Sequence, residues 1–164
     1  LALALILPFI TGQIPQLGRM LLPMHLPVLL CGFVCGWQWG LGIGLIAPVL
    51  RSLLFGMPPM MPTATAMAFE LAAYGAFSGL LYQKLGTKPA NVYLALIGAL
   101  LLGRVVWGIV SFALYSLIMQ TPFTPALFVA DAFVGAWPGI IAQLVLVPLV
   151  VLALQRAKLI PLSR

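Results

Sequence analysis

Five ionisable side chains sit inside otherwise apolar runs of this sequence: His25, Arg51, Glu70, Arg104 and Asp131. Placing such a group in lipid costs about 2.5–3.5 kcal/mol on insertion scales, so each one calls for a partner, a cavity or a ligand. Arg51 is the sharpest case. It stands in APVLRSLLFGMPPMMP, a fixed cation within a run that reads as membrane helix, just before a loop of proline and methionine. A guanidinium held in a dry site recognises a carboxylate through short, charge-assisted hydrogen bonds. Aromatic side chains accompany the charges at helical spacing. Glu70, Tyr74 and Phe77 share one helix face, Arg104, Trp107 and Ser111 another, and Asp131, Gly135 and Pro138 a third. An interior both charged and aromatic suits a small polar molecule with flat or branched apolar parts. The candidate binding residues are therefore His25, Arg51, Glu70, Tyr74, Arg104, Trp107 and Asp131.

The same charges admit a purely structural reading. Arg51–Glu70 and Arg104–Asp131 are possible ion pairs that only set helix register, with Glu70 holding Arg51 in place. His25, between Pro23 and Pro27, either caps a helix near the interface or touches a ligand. Tyr74 and Trp107 could simply pack.

Other chemistries lack their motifs. No G-x-x-x-x-G-K-[ST] occurs, so the chain has no P-loop for ATP. There is one histidine, with no H-E-x-x-H and no G-x-S-x-G elbow, and nothing marks a serine to work with His25. No T-V-G-Y-G filter is present. Cys31 and Cys35 lie four residues apart in an apolar run, which is neither a redox nor a zinc spacing, and they read as small buried hydrophobes. The expectation is a binding protein, not an enzyme, with no cofactor and no metal.

The elements that must position these residues follow from composition. The chain is 63% hydrophobic and only 6% charged, with a mean hydropathy of +1.19. Soluble domains carry about 25% charged residues, so lipid is the natural solvent here. The net charge of +6 comes from scattered basic residues with no stripe interleaved with aromatics, which excludes a nucleic-acid partner. Spans of roughly 20 apolar residues predict six transmembrane helices, near 1–11, 21–36, 39–56, 64–83, 91–118 and 126–155. The sequence begins at Leu1 rather than Met, and the first helix is read as truncated.

The connections are GQIPQLGR, a WQWG turn, MPPMMPT, GTKPAN and QTPFTP. Lys84, Lys88, Arg156, Lys158 and Arg164 fall on one side, against Arg19 alone on the other. The positive-inside rule then puts both termini in the cytoplasm. All five buried charges lie in the outer half or near the midplane, with Glu70 about 9 Å and Asp131 about 7 Å below the outer starts of their helices. Trp37 and Trp39 serve as interface anchors. Ala64, Ala68, Ala72 and Ala76 form a small-residue row beside Gly75 and Gly79, and Gly135 and Gly139 form another pair, suited to close helix packing or to docking. Residues 1–164 are read as one integral membrane domain, an all-α bundle.

The run LLPMHLPVLLCGFVCGWQWGLGIGLIAPVLRSLLFGMPPMMPTATAMAFELAAYG, with GRVVWGIV around Arg104 and WPGIIAQLVLVP, resembles the substrate-specific S-component of energy-coupling factor (ECF) vitamin transporters. Its most specific part, His25 to Glu70, is similar to a branch associated with pantothenate uptake. The resemblance implies a six-helix bundle in a bacterial cell membrane that binds a vitamin at its outer side. Pyridoxine, a hydroxymethylpyrimidine and riboflavin are the alternative ligands, and a structural scaffold is the alternative of another class. It also implies that the loops GQIPQLGR, MPPMMPT and QTPFTP cover the ligand. As partners it implies a membrane-embedded coupling subunit and two cytoplasmic ATPases, with the whole bundle toppling to release its substrate. The family's A-x-x-x-A contact motif in helix one is not intact: Ala2 and Ala4 remain, and Ala2 is read as its second alanine. Arg51 is the expected partner of a pantothenate carboxylate, with Tyr74, Trp107 and Asp131 at its hydroxyl and amide groups.

Overall fold

A computed structural model of the chain describes residues 1–10 and 21–160. The GQIPQLGR connection with Arg19, and the terminal Arg164, lie outside the described residues. The described chain is helical, with no strand. Helix α1 is Ala2–Ile10, α2 His25–Cys35, α3 Trp37–Phe55, α4 Thr65–Leu85, α5 Pro89–Ala113, α6 Pro125–Val129 and α7 Trp137–Arg156. Wide turns lead into α4 at Met60–Ala64, prolong α5 over Leu114–Ile118 and prolong α6 over Ala130–Val134.

Glycine and proline set most of the boundaries. Gly56 (φ 69°) closes α3 in the left-handed conformation, its N–H donating to Ser52 O at 2.9 Å. Pro89 opens α5 where its missing N–H costs nothing. Pro125 opens α6 behind Thr124, whose hydroxyl accepts from Leu127 N at 3.3 Å.

Two expected boundaries are corrected. The turn between the second and third helices is made by Gly36 alone (φ 98°, ψ 165°), and WQWG already belongs to α3. The expected helix over 126–155 is broken at Gly135–Ala136. Pro138 cannot donate back to the carbonyl of Val134 and its ring crowds that carbonyl, so the upstream turn widens, with Gly135 N–H bonding Ala130 O at 2.7 Å.

Four helical stretches are long and apolar enough to span a membrane: Trp37–Phe55, Met60–Leu85, Pro89–Ile118 and Trp137–Arg156. The stretches His25–Cys35 and Pro125–Val134 are shorter, and 11 residues of α2 reach only about 16 Å. Outward faces are apolar, with Leu53, Ile109, Leu117 and Leu149 exposed, whereas His25, Arg51, Glu70 and Arg104 are buried. Apolar outside and polar inside is the pattern of a multi-pass membrane protein.

Helix α4 is the central element. Of its apolar window 61% is buried, against 28% to 39% for the other three long helices. Glycines allow this. A Cβ on Gly75 would run into the backbone of Gly40, one on Gly44 into the backbone of Leu71, and one on Gly79 into Trp37 and Gly32. The glycine pair at 75 and 79 is thus used for packing within the chain, as small residues in lipid permit. The alanines Ala64, Ala68, Ala72 and Ala76 are buried as well.

The alternation of helix direction puts Lys84, Lys88, Arg156 and Lys158 at one end of the bundle and residues 56–64 at the other. Gln155 ties the basic end, its amide donating to Tyr82 Oη at 2.5 Å and to Thr87 O at 3.2 Å. Gln155→Leu is expected to lower stability by about 1–3 kcal/mol, since the Tyr82 hydroxyl loses its donor. Thermal unfolding in detergent reads this, and an unchanged midpoint refutes the tie.

Candidate ligand-binding site

The end of the bundle remote from the basic residues encloses a cavity of about 590 Å³. Its polar lining comes from most of the helices: His25 from α2, Arg51 from α3, Glu70 from α4, and Arg104, Trp107 and Ser111 from α5, with Asp131 beyond α6. Pro58, Pro59, Pro62 and Thr63, from the turn before α4, border it.

Glu70 organises one side. Its Oε1 accepts from Arg104 Nη1 at 2.7 Å, and its Oε2 lies 3.7 Å from His25 Nε2. All three side chains are buried. Tyr74, one turn further along α4, stands behind them with no exposed surface, its ring 5.3 Å from that of His25. It fits because Gly103 has no Cβ, and any side chain there would occupy the place of the Tyr74 ring. Removing both charges from water is costly, and the short bond between them offsets that cost only while the pair stays intact.

Arg51 is held differently. Its Nη1 donates to the Leu5 carbonyl of α1 at 2.6 Å, and its guanidinium carbon lies 5.0 Å from the Phe9 ring centre and 5.3 Å from that of Phe55. Those two rings meet edge to face at 5.0 Å. Carbonyl and ring faces orient the cation without neutralising it. No carboxylate lies within ion-pair distance of Arg51 among the described residues.

The opposite wall is aromatic. Trp107 stacks on Phe128 and meets Phe123 edge-on, both at 6.0 Å, and Tyr115 stacks on Phe123 at 5.6 Å. Gly108 leaves the room that Phe128 fills. Asp131 is exposed on this side and makes no ion pair among the described residues.

The structure therefore brings His25, Arg51, Glu70, Arg104, Trp107 and Asp131 to one cavity. Tyr74 is not in the lining but buttresses it. The expected pairings change partners. Arg104 bonds Glu70, not Asp131, and Arg51 bonds a backbone carbonyl, not Glu70. The physical reason is that Glu70 already has Arg104 on one oxygen and His25 beside the other. Ser111, Tyr115 and Met24 also line the cavity without having been assigned a role, and Thr63 of MPPMMPT borders it. Of these, Ser111 and Tyr115 continue the helical spacing of Arg104 and Trp107 along α5 and its extension, which is the signal that marks them. Among the described residues no three His, Cys, Asp or Glu side chains cluster as metal ligands.

No curated protein and no solved structure matches the chain significantly. The family model of the ECF transporter substrate-specific component matches residues 1–152. A largely apolar cavity holding a few charged side chains, inside an apolar helical bundle, suits a binding subunit of a membrane transporter, and the chain belongs to the family of ECF transporter substrate-specific components.

Proposed function

We propose that this chain is the vitamin-binding subunit of an ECF transporter and that its ligand is pantothenate. In this reading it is one six-span domain in a bacterial cell membrane, with both termini and the basic end in the cytoplasm and the cavity facing out. The clustering of Lys84, Lys88, Arg156 and Lys158 away from the cavity supports that orientation. Uptake is then powered by partners, a membrane-embedded coupling subunit and two cytoplasmic ATPases, because this chain carries no P-loop.

The observation that carries the ligand class is Arg51, a buried cation at the cavity with no carboxylate partner among the described residues. A ligand carboxylate supplies the missing charge. The apolar walls contributed by Met67, Trp107 and the prolines suit the dimethyl group of pantothenate, and a cavity of about 590 Å³ lies in the usual range for small ligands. In this reading Asp131 and Trp107 meet its hydroxyl and amide groups, with Tyr74 supporting from behind. Trp107 also favours a second reading, in which pyridoxine, a hydroxymethylpyrimidine or riboflavin stacks its ring there.

Calorimetric titration of the purified chain against all four compounds separates the two. Saturable one-to-one binding of pantothenate is expected, and selective binding of a ring-bearing vitamin overturns the assignment. Arg51→Ala is expected to weaken pantothenate binding by about 100-fold or more while the bundle stays folded. Full affinity in a folded Arg51→Ala protein would remove Arg51 from the site.

A further inference from the structure

Three side chains in the cavity lining are more than nine-tenths buried yet hold polar atoms without a hydrogen-bond partner among the described residues. They are His25 (Nδ1, with Nε2 3.7 Å from Glu70 Oε2), Arg104 (Nε and Nη2) and Ser111 (Oγ). Buried polar groups are almost always satisfied, and groups left unmet beside a cavity point to what fills it. A guanidinium donates and never accepts and a serine hydroxyl can donate, whereas neutral His25, with Nε2 turned to the Glu70 carboxylate at 3.7 Å, presents Nδ1 as an acceptor. This floor therefore asks mainly for acceptors.

Its charge is already settled. Glu70 bonds Arg104 at 2.7 Å, so the floor is rich in donors but close to electrically neutral. Arg51 presents the opposite case, a cation oriented by a carbonyl and two rings with no carboxylate in reach. A carboxylate gains most where positive charge is uncompensated, whereas a hydroxyl or amide oxygen is satisfied by neutral donors. Asp131, the remaining charge in the lining, repels any second anionic group.

We infer that the cavity is divided into two subsites for a monoanion: Arg51 takes the carboxylate, and the floor of His25, Arg104 and Ser111 takes an uncharged hydroxyl or amide oxygen. The inference rests on the reading of this cavity as the pantothenate site and adds which residues discriminate charge and which do not. A ligand that carries a phosphate besides its carboxylate is disfavoured by Asp131, and Ser111 contributes affinity without discriminating charge.

The test pairs two probes, pantothenate and panthenol, which differ in having a carboxylate or a primary alcohol at one end. Both are titrated calorimetrically against wild type, Arg51→Gln, Ser111→Ala and Arg104→Lys, with thermal unfolding of each variant as the folding control. Lysine keeps a cation for Glu70 but lacks the Nε and Nη2 donors, and Ser111→Ala carries the same test if Arg104→Lys does not fold. Wild type is expected to prefer pantothenate. Arg51→Gln should remove that preference, weakening pantothenate about 100-fold and panthenol less than about threefold. Ser111→Ala and Arg104→Lys should weaken both compounds together, by about tenfold, and leave the preference intact. A floor variant that selectively weakens pantothenate, an Arg51→Gln protein that weakens both equally, or floor variants without effect overturns the two-subsite division alone. Wild type that binds neither compound overturns the pantothenate reading and the division with it.

Discussion

Glu70→Ala is expected to destabilise the protein by about 3–5 kcal/mol, a large share of the stability of any domain. The loss comes less from the bond removed than from what stays behind. Arg104 would remain buried at 5% exposure with no anion beside it, and its Nε and Nη2 already lack partners among the described residues. Glu70→Gln should cost less, because an amide oxygen still accepts from Nη1. The double variant Glu70→Met/Arg104→Met should recover most of the stability, since two apolar side chains replace the pair without leaving a charge. Thermal midpoints of the four proteins in one detergent test this ranking. If Glu70→Ala melts with wild type, the pair is not what holds α4 against α5.

The second large effect is expected at Gly75. A Cβ there overlaps the backbone of Gly40, and backbone cannot swing aside as a side chain can. Gly75→Ala should therefore force α3 and α4 apart and cost about 1–3 kcal/mol, with Gly75→Leu losing the folded bundle. Gly42→Ala provides the contrast on the facing helix α3: nothing lies within 4 Å of its Cβ position, and the change should be neutral or mildly stabilising. Monodisperse yield and thermal midpoint distinguish the two positions. Equal behaviour of Gly75→Ala and Gly42→Ala would contradict the close crossing.

Much of this organisation is legible in the sequence because membrane solvent simplifies it. Long apolar runs mark α3, α4, α5 and α7, and Gly56, Gly86, Pro89 and Pro125 mark where the chain turns. The break before α7 is hidden, since apolar composition continues through 126–155 and Asp131, Gly135 and Pro138 read there as one face of a continuous helix. The cavity is legible as well: charges at similar depth on several helices converge when the helices pack. Partner choice is not. Whether Glu70 meets Arg51 or Arg104 depends on the rotation of α4 and its closeness to α5, and that closeness is set by Gly103 making room for Tyr74. Spacing four residues from Glu70 puts Tyr74 on the same face but cannot say that this slot draws it away from the lining.

The glycine contacts have a mechanical consequence. Backbone against backbone, α2, α3 and α4 form a stiff jaw, because Gly32, Gly40, Gly44 and Gly75 leave no side chain between them to bend. The facing jaw is held by side chains: α6 leans on Trp107 of α5 through the Phe128 ring at 6.0 Å, and Phe133 of its extension packs on Phe128 at 6.1 Å. His25, Arg51 and Glu70 are mounted on the stiff side and Asp131 on the facing one. On the proposed binding mode, a ligand lengthened by a methylene is expected to displace Asp131 and leave Arg51 where it was.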